Sequence, residues 1–230
     1  MTQITATYID HCGSDLSVVN AARVSFGKKS QFEGRVGGPN VLSERDTKLV
    51  KYLAKHKHIS PFGHAFASFH IKAPIFVARQ LVKHKFLRWN EISRRYVDDE
   101  PEFYVPDVWR GRSKDKKQGS EGVVDLGRDP YRPYCEDWGL CDGRYELHEV
   151  PLAVYKDMLS KGVAPEQARM VLPQSTMTEW YWSGSLDAFA DMCRLRCKED
   201  TQYESRLVAD QVSTIMQDLY PVSWAALMEG

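Results

Sequence analysis

Between residues 64 and 72 apolar and polar side chains alternate: Ala65, Ala67, Phe69 and Ile71 fall on one face, and Phe66, Ser68 and His70 on the other. Directly after this run the period changes. Pro74 suits the first turn of a helix, and Ile75, Val77, Ala78, Leu81 and Val82 follow it at helical spacing. A half-buried strand therefore feeds straight into a helix, and the chain must mix the two kinds of element. The rest of the sequence repeats the mixture. Residues 4–9 read as a short strand, and Leu16, Val19, Ala22 and Val24 as a helix opening after Ser14 and Asp15. A glycine-rich stretch, 27–40, interrupts the pattern. Ser43-Glu44-Arg45-Asp46 resembles a capping box ahead of a helix whose buried stripe is Leu49, Val50, Leu53 and Ala54, and 59–63 is a turn.

Residues 103–105 read as a short strand, 150–161 as a helix closed by Gly162, and Pro165 as the start of another. Strand-like alternation returns over 175–182. Ser185 can cap a helix through Phe189, Met192 and Leu195, and 207–219 form a last long amphipathic helix. This order implies an α+β fold, a mixed or antiparallel sheet flanked by helices. With 230 residues, 43% of them apolar, the chain can bury a sizeable core, and residues 1–230 read as a single domain. The stretch 111–148 is polar and aperiodic, which in a compact domain marks a variable loop, a partly ordered insertion or a subunit contact.

The 31 basic and 31 acidic side chains cancel, so no whole-molecule field favours nucleic acid or a membrane surface. The five cysteines are scattered without a C-x-x-C pair and read as reduced thiols of a cytoplasmic protein. No stretch approaches the roughly 20 apolar residues of a membrane span, and the N-terminus does not resemble an export leader.

Charge is instead concentrated locally. Arg79, Lys83, Lys85, Arg88, Arg94 and Arg95 oppose only Glu91 within seventeen residues, interleaved with Trp89, Asn90, Ser93 and Tyr96. Such a run can be a solvated face. The added stacking surface and neutral donors favour an anionic ligand, and phosphate suits guanidinium and ammonium groups together. A single cluster in a neutral chain fits a small ligand better than a nucleic-acid groove. Neither a triphosphate-binding P-loop nor a glycine-rich dinucleotide fingerprint is present.

Within that cluster, Lys83-His84-Lys85, seven further residues and Ser93, with Asn90-Glu91-Ile92-Ser93-Arg94-Arg95-Tyr96 in register, resemble the signature of the flavin-dependent thymidylate synthases. Upstream blocks 58–64 and 72–80 and downstream blocks 102–106 and 168–173 match in order, so the resemblance covers most of the chain. It implies the fold of the thymidylate synthase complementing proteins and a homotetramer with shared active sites. The implied reaction is reductive methylation of dUMP to dTMP, with methylenetetrahydrofolate as carbon donor and FAD, reduced by NADPH, as hydride source. By carry-over, Gln80, Lys83, Glu91, Ser93, Arg95, Arg169 and Arg196 match positions that contact dUMP. His58, Ser60, Lys83, His84, Lys85 and Glu91 match positions that touch FAD. Arg196 aligns with the catalytic arginine that stabilises uracil ionised at N3.

No sequence feature supplies a base to activate the Ser93 hydroxyl, which reads as a hydrogen-bond donor. Cys193 and Cys197 read as structural thiols, in keeping with a chemistry that needs no cysteine nucleophile. The six-residue spacing of His58, His64 and His70 fits no zinc motif, so no metal is expected. Two departures stand out: lysine replaces arginine at the first and third signature positions, and Ser185 and Asp187 differ from the residues the family often places near the flavin adenosine. The rival readings are a nonenzymatic RNA- or single-strand-binding protein and a flavoprotein that only oxidises NADPH.

Overall fold

The alternation around Phe69 becomes strand β2 (Phe66–Pro74), with Ala67, Phe69, Ile71 and Ala73 buried and Ser68, His70 and Lys72 half-buried on the opposite face. The computed structural model describes residues 3–34, 40–97, 99–113, 119–125 and 148–229. Strand β2 pairs on one side with β1 (Thr5–Cys12) and on the other with β6 (Met177–Ser185), and β6 in turn pairs with β3 (Leu87–Glu91). All three pairings are antiparallel, giving the spatial order β1-β2-β6-β3. On β6 the core positions include Trp180 and Trp182, while Tyr181 between them faces solvent.

The helices are α1 (Asp15–Arg23), α2 (Glu44–Lys55), α3 (Ile75–Leu81), α4 (Glu149–Ser160), α5 (Pro165–Ala168), α6 (Leu186–Arg196), α7 (Tyr203–Leu219) and α8 (Pro221–Glu229). Phe189 of α6 meets Phe69 and Trp182 edge-on, with ring centroids 5.1 and 5.5 Å apart, and joins the helical layer to the sheet. Each such aromatic pair contributes roughly 0.5–1.5 kcal/mol beyond the area it buries. Ser43 caps α2 by accepting from the Asp46 backbone N–H at 3.1 Å. Asp15 does the same over a long sequence distance, its carboxylate accepting from Val222 N and Ser223 N at the start of α8.

Some expectations shift. Strand character begins at Phe66 rather than His64, because residues Ser60–His64 form a 3₁₀ turn. The expected strand at 103–105 is reduced to one bridge, Phe103 to Thr176. Part of the aperiodic region folds as a hairpin, β4 (Arg110–Arg112) with β5 (Ser120–Val123); most of 111–148 lies outside the described residues. The basic stretch contains an edge strand, β3, and a further helix, α8, follows the last expected one.

Candidate active site

Helix α3, the turn after it and strand β3 carry the signature. Gln80 stands in the last turn of α3, Lys83, His84 and Lys85 in the reversal, and Trp89 and Glu91 on β3. Phe86 makes the reversal possible at φ +63°, a left-handed conformation that costs a bulky residue energy, and its ring is 80% exposed. Gly184 of β6 lies directly across. A Cβ there would sit 3.1 Å from the Phe86 carbonyl and closer still to the tip of the Leu87 side chain, so glycine lets the two strands approach without moving either.

Arg196, at the end of α6, reaches into this reversal. Its Nε–H donates to His84 Nε2 at 3.0 Å and an Nη2–H to the Gln80 carbonyl at 3.5 Å. Both acceptors are neutral, and Arg196 enters no ion pair among the described residues. A half-buried guanidinium without a carboxylate is an uncompensated charge, and burial lowers its pKa accordingly. The contact also assigns the histidine tautomer. Because Nε2 accepts, the proton of neutral His84 sits on Nδ1.

Burial first, and the Arg196 charge second, push His84 down to about 4 from 6.5, with Asp191 opposing weakly. An unfolded chain takes up this proton before the folded one does. The stability that neutral His84 contributes is therefore complete above about pH 6.5 and is lost as pH falls towards 4. Urea midpoints should fall further between pH 7 and pH 5 for the wild type than for His84→Gln. Equal falls would exclude His84 as the source.

A second group assembles around Glu91. Its carboxylate accepts from Thr178 Oγ1 at 2.7 Å and from Trp89 Nε1 at 3.0 Å, which fixes it against β6. Glu91 lines a cavity of about 400 Å³ with Arg79, Arg94, Arg169 and Thr178. Arg95 and Arg169 are drawn together by Glu166: Arg95 Nε lies 3.5 Å from its carboxylate and Arg169 Nε donates to its carbonyl at 3.2 Å. Both arginines are exposed, so these contacts hold them only weakly. Ser93 Oγ accepts from the Arg95 N–H at 3.3 Å, a local turn contact. In the sequence Arg79 and Arg94 stand only as part of the charge run; their shared cavity with Glu91 is set by packing that no spacing discloses.

His58 and Ser60 lie elsewhere in the chain, in a cavity of about 730 Å³ bordered by Arg23, Lys28, Arg45, Phe26 and Tyr52. Lys83 and Lys85 are exposed and enter no ion pair among the described residues. The structure of one chain thus brings Gln80, His84 and Arg196 together, and Glu91 with Arg169, but leaves His58 and Ser60 in a different cavity. Cys193 is fully buried, its thiol pushed up by burial and donating to the Ala209 carbonyl at 3.6 Å.

Residues 7–222 match the thymidylate synthase complementing protein family. The flavin-dependent thymidylate synthase of Thermus thermophilus is 37% identical over 221 residues, covering 96% of this chain and 74% of the relative. That of Kosmotoga olearia is 38% identical over 222 residues, 96% of this chain and 88% of the relative. Among solved structures, a UMP/dUMP methylase, PolB from Streptomyces cacaoi bound with 5-Br dUMP, is similar with a TM-score of 0.77 at 30% identity, covering 100% of this chain and 96% of that one. The same methylase bound with 5-Br UMP gives a TM-score of 0.76 at 28% identity, covering 100% and 95%.

Proposed function

This chain belongs to the thymidylate synthase complementing protein family, the flavin-dependent thymidylate synthases, and from that premise we propose that Arg196 supplies the charge on which its methylation of dUMP depends. The observation that carries this reading is the guanidinium held by two neutral acceptors, with no carboxylate among the described residues to neutralise it. A pyrimidine that loses its N3 proton gains negative charge and becomes electron-rich at C5. A fixed cation beside it lowers the cost of that anion, and arginine can provide one because it stays protonated. His84 contributes by accepting from Nε, which aims the guanidinium while adding no second charge to it.

The nucleotide phosphate would be met by the arginines around Glu91: Arg169, Arg95 and their neighbours Arg79 and Arg94. Gln80, Lys83 and Ser93 complete the proposed dUMP contacts. The larger cavity fits the enzyme's FAD in chemistry, since Arg23, Lys28 and Arg45 suit a diphosphate while Phe26 and Tyr52 offer ring surfaces beside His58 and Ser60. When bound and reduced by NADPH, FAD supplies the hydride that completes the methyl group donated by methylenetetrahydrofolate. The buried Cys193 thiol, with its raised pKa, is unsuited to attack the base.

The two cavities belong to one chain yet hold different members of the expected FAD contacts, Glu91 in one and His58 with Ser60 in the other. Sites shared between subunits of a homotetramer would unite them, and sedimentation equilibrium reads that assembly directly. Lys83, His84 and Lys85 would then border the flavin from one chain. Among the described residues no helix is long and apolar enough to cross a membrane, and we read the enzyme as a cytoplasmic single domain.

A purified sample that is yellow, with flavin absorbance bleached by NADPH, supports this function. A colourless sample that binds oligonucleotides tightly and salt-sensitively would support a binding protein instead. The two lysines give a further expectation. Ammonium groups keep the charge of the usual arginines but lose their planar five-donor fork. Lys83→Arg combined with Lys85→Arg should tighten FAD binding about 3- to 10-fold, the effect of one or two added hydrogen bonds. Unchanged FAD affinity and turnover would show that the fork is dispensable here.

A further inference from the structure

We propose that Gln202 and Glu204, together with Arg110 of the β4–β5 hairpin, are positioning residues for the nucleotide: they dictate which way the Gln80 amide faces and make the hairpin a strut of the substrate site. This rests on the reading of Gln80 as a dUMP contact. The observation behind it is a directional chain of hydrogen bonds that starts at the end of α3 and terminates on the hairpin.

Glu204 is the fixed point. Its side chain is 8% exposed and its Oε1 accepts from Arg110 Nη2 at 2.6 Å and from the Tyr104 hydroxyl at 3.4 Å. A carboxylate paired with a guanidinium only accepts. Gln202 must therefore turn its amide N–H towards Glu204 Oε2, at 3.1 Å, which leaves its carbonyl facing Gln80. Gln80 in turn donates from Nε2 to that carbonyl. Its own Oε1 then faces the fully buried Ser205 hydroxyl, which donates to it at 3.1 Å. Every link has one admissible polarity, so the carboxylate sets the orientation of an amide two residues away in the chain of bonds. Gln80 keeps one N–H and one carbonyl lone pair for the nucleotide. Flipping it would exchange donor for acceptor and set two carbonyl oxygens against each other at Gln202; only the Ser205 hydroxyl, which can also accept, would tolerate the change.

The hairpin is seated where this chain begins. Arg110 also lies over the Tyr203 ring, 4.0 Å from its centroid, and so grips the first turn of α7 by charge and by stacking. Gly119, at φ +86°, packs so closely on the loop before α7 that an added Cβ would lie 2.6 Å from the Asp200 carbonyl. Burial, and then the Glu204 charge, raise the Tyr104 phenol well above its usual range, so it stays a donor. A hairpin within the variable stretch of the sequence thus holds the residues that hold Gln80.

The test uses the full-length, FAD-loaded enzyme, with dUMP as the titrant in calorimetry and as substrate in turnover. Gln202→Leu removes the acceptor while keeping the volume, and Gly119→Val pushes the hairpin off the Asp200 loop without replacing any residue of the bond chain. Each should weaken dUMP binding and raise its KM about 3- to 10-fold, while kcat and flavin absorbance stay within about two-fold of the wild type. In a Gln80→Ala background Gln202→Leu should add nothing, because its effect passes through Gln80. The proposal fails if Gln202→Leu leaves dUMP affinity unchanged, or weakens it equally with and without Gln80. Should Gly119→Val not fold, Arg110→Gln reports on the hairpin, and unchanged dUMP affinity in it would remove the strut. A wild type that binds dUMP but does not methylate it would end the functional reading while leaving this calorimetric test intact; a wild type that does not bind dUMP would end both.

Discussion

Arg196→Ala is expected to lower kcat for dUMP methylation by about 100- to 1,000-fold, the range seen when one preorganised charge donor is lost from a reaction that develops an anion. Flavin absorbance should largely remain, because Arg196 does not line the cavity of His58 and Ser60 and touches the expected FAD contacts only through His84. The argument is electrostatic. Among the described residues the guanidinium meets only the His84 nitrogen and the Gln80 carbonyl, so its charge is available to whatever anion enters. Arg196→Lys should fall between the two, because an ammonium keeps the charge but cannot reach His84 and Gln80 together with a planar fork. Turnover equal to wild type in the alanine variant would take Arg196 out of the chemistry, leaving it a tie between the end of α6 and the last turn of α3.

The second large effect is on stability. Arg23→Ala is expected to cost about 3–5 kcal/mol, the usual range for leaving one member of a buried pair alone. Asp46 is 3% exposed, and Arg23 donates to its carboxylate through Nε at 2.9 Å and also through Nη2, with Ser30 and Ser43 adding hydroxyl donors at 3.1 and 2.9 Å. Burial alone would raise the Asp46 pKa, yet the hydrogen bonds from Arg23, Ser43 and Ser30 outweigh it and hold the carboxyl below 3.8. A depressed carboxylate stabilises the fold above its unfolded value, and that contribution is lost as pH falls through the folded one. Without Arg23 the cost of burial is unopposed by charge. Thermal unfolding should shift down by roughly 10 °C. Asp46→Asn in the same background should recover part of the loss, since the amide carries no charge to strand. A shift of under about 2 °C for Arg23→Ala would mean that the serines alone satisfy Asp46. The pair matters beyond stability because Arg23 borders the cavity with His58 and Ser60.

Much of the fold was legible in the sequence wherever one face of an element is buried. The alternation around Phe69 survives as β2 because its neighbours β1 and β6 leave one face to the helices and the other to water. Ser43, Gly162 and Pro165 mark element ends by local chemistry alone, and those ends fall where expected. Strand β3 was hidden because it is an edge strand: only Leu87 and Trp89 are partly buried, and the charges of the signature mask them. Its pairing with β6 joins residues about ninety positions apart, which no local pattern encodes. Helix α8 is apolar on several sides and short, so it shows no amphipathic stripe. Strands of three and four residues, as in the hairpin, are too brief to establish a period.

The site divides in the same way. The expected dUMP and FAD contacts rest on the order of the signature and its matched blocks along the chain. Gln202, Glu204 and Arg110 were not readable there, because what makes them matter is a bond chain linking α3, α7 and the hairpin. Arg79 and Arg94 were visible as charge, but only the cavity shared with Glu91 and Arg169 gives that charge a place.

Release of tritium from C5-labelled dUMP tests the central claim most directly, because the label leaves only if that carbon is substituted. In the wild type, release should require FAD, NADPH and methylenetetrahydrofolate together, and Arg196→Ala should lose it while remaining yellow; UMP run in parallel would show whether the ribonucleotide is accepted. Release at the wild-type rate from the Arg196 variant, or none from fully flavin-loaded wild type, would contradict the account.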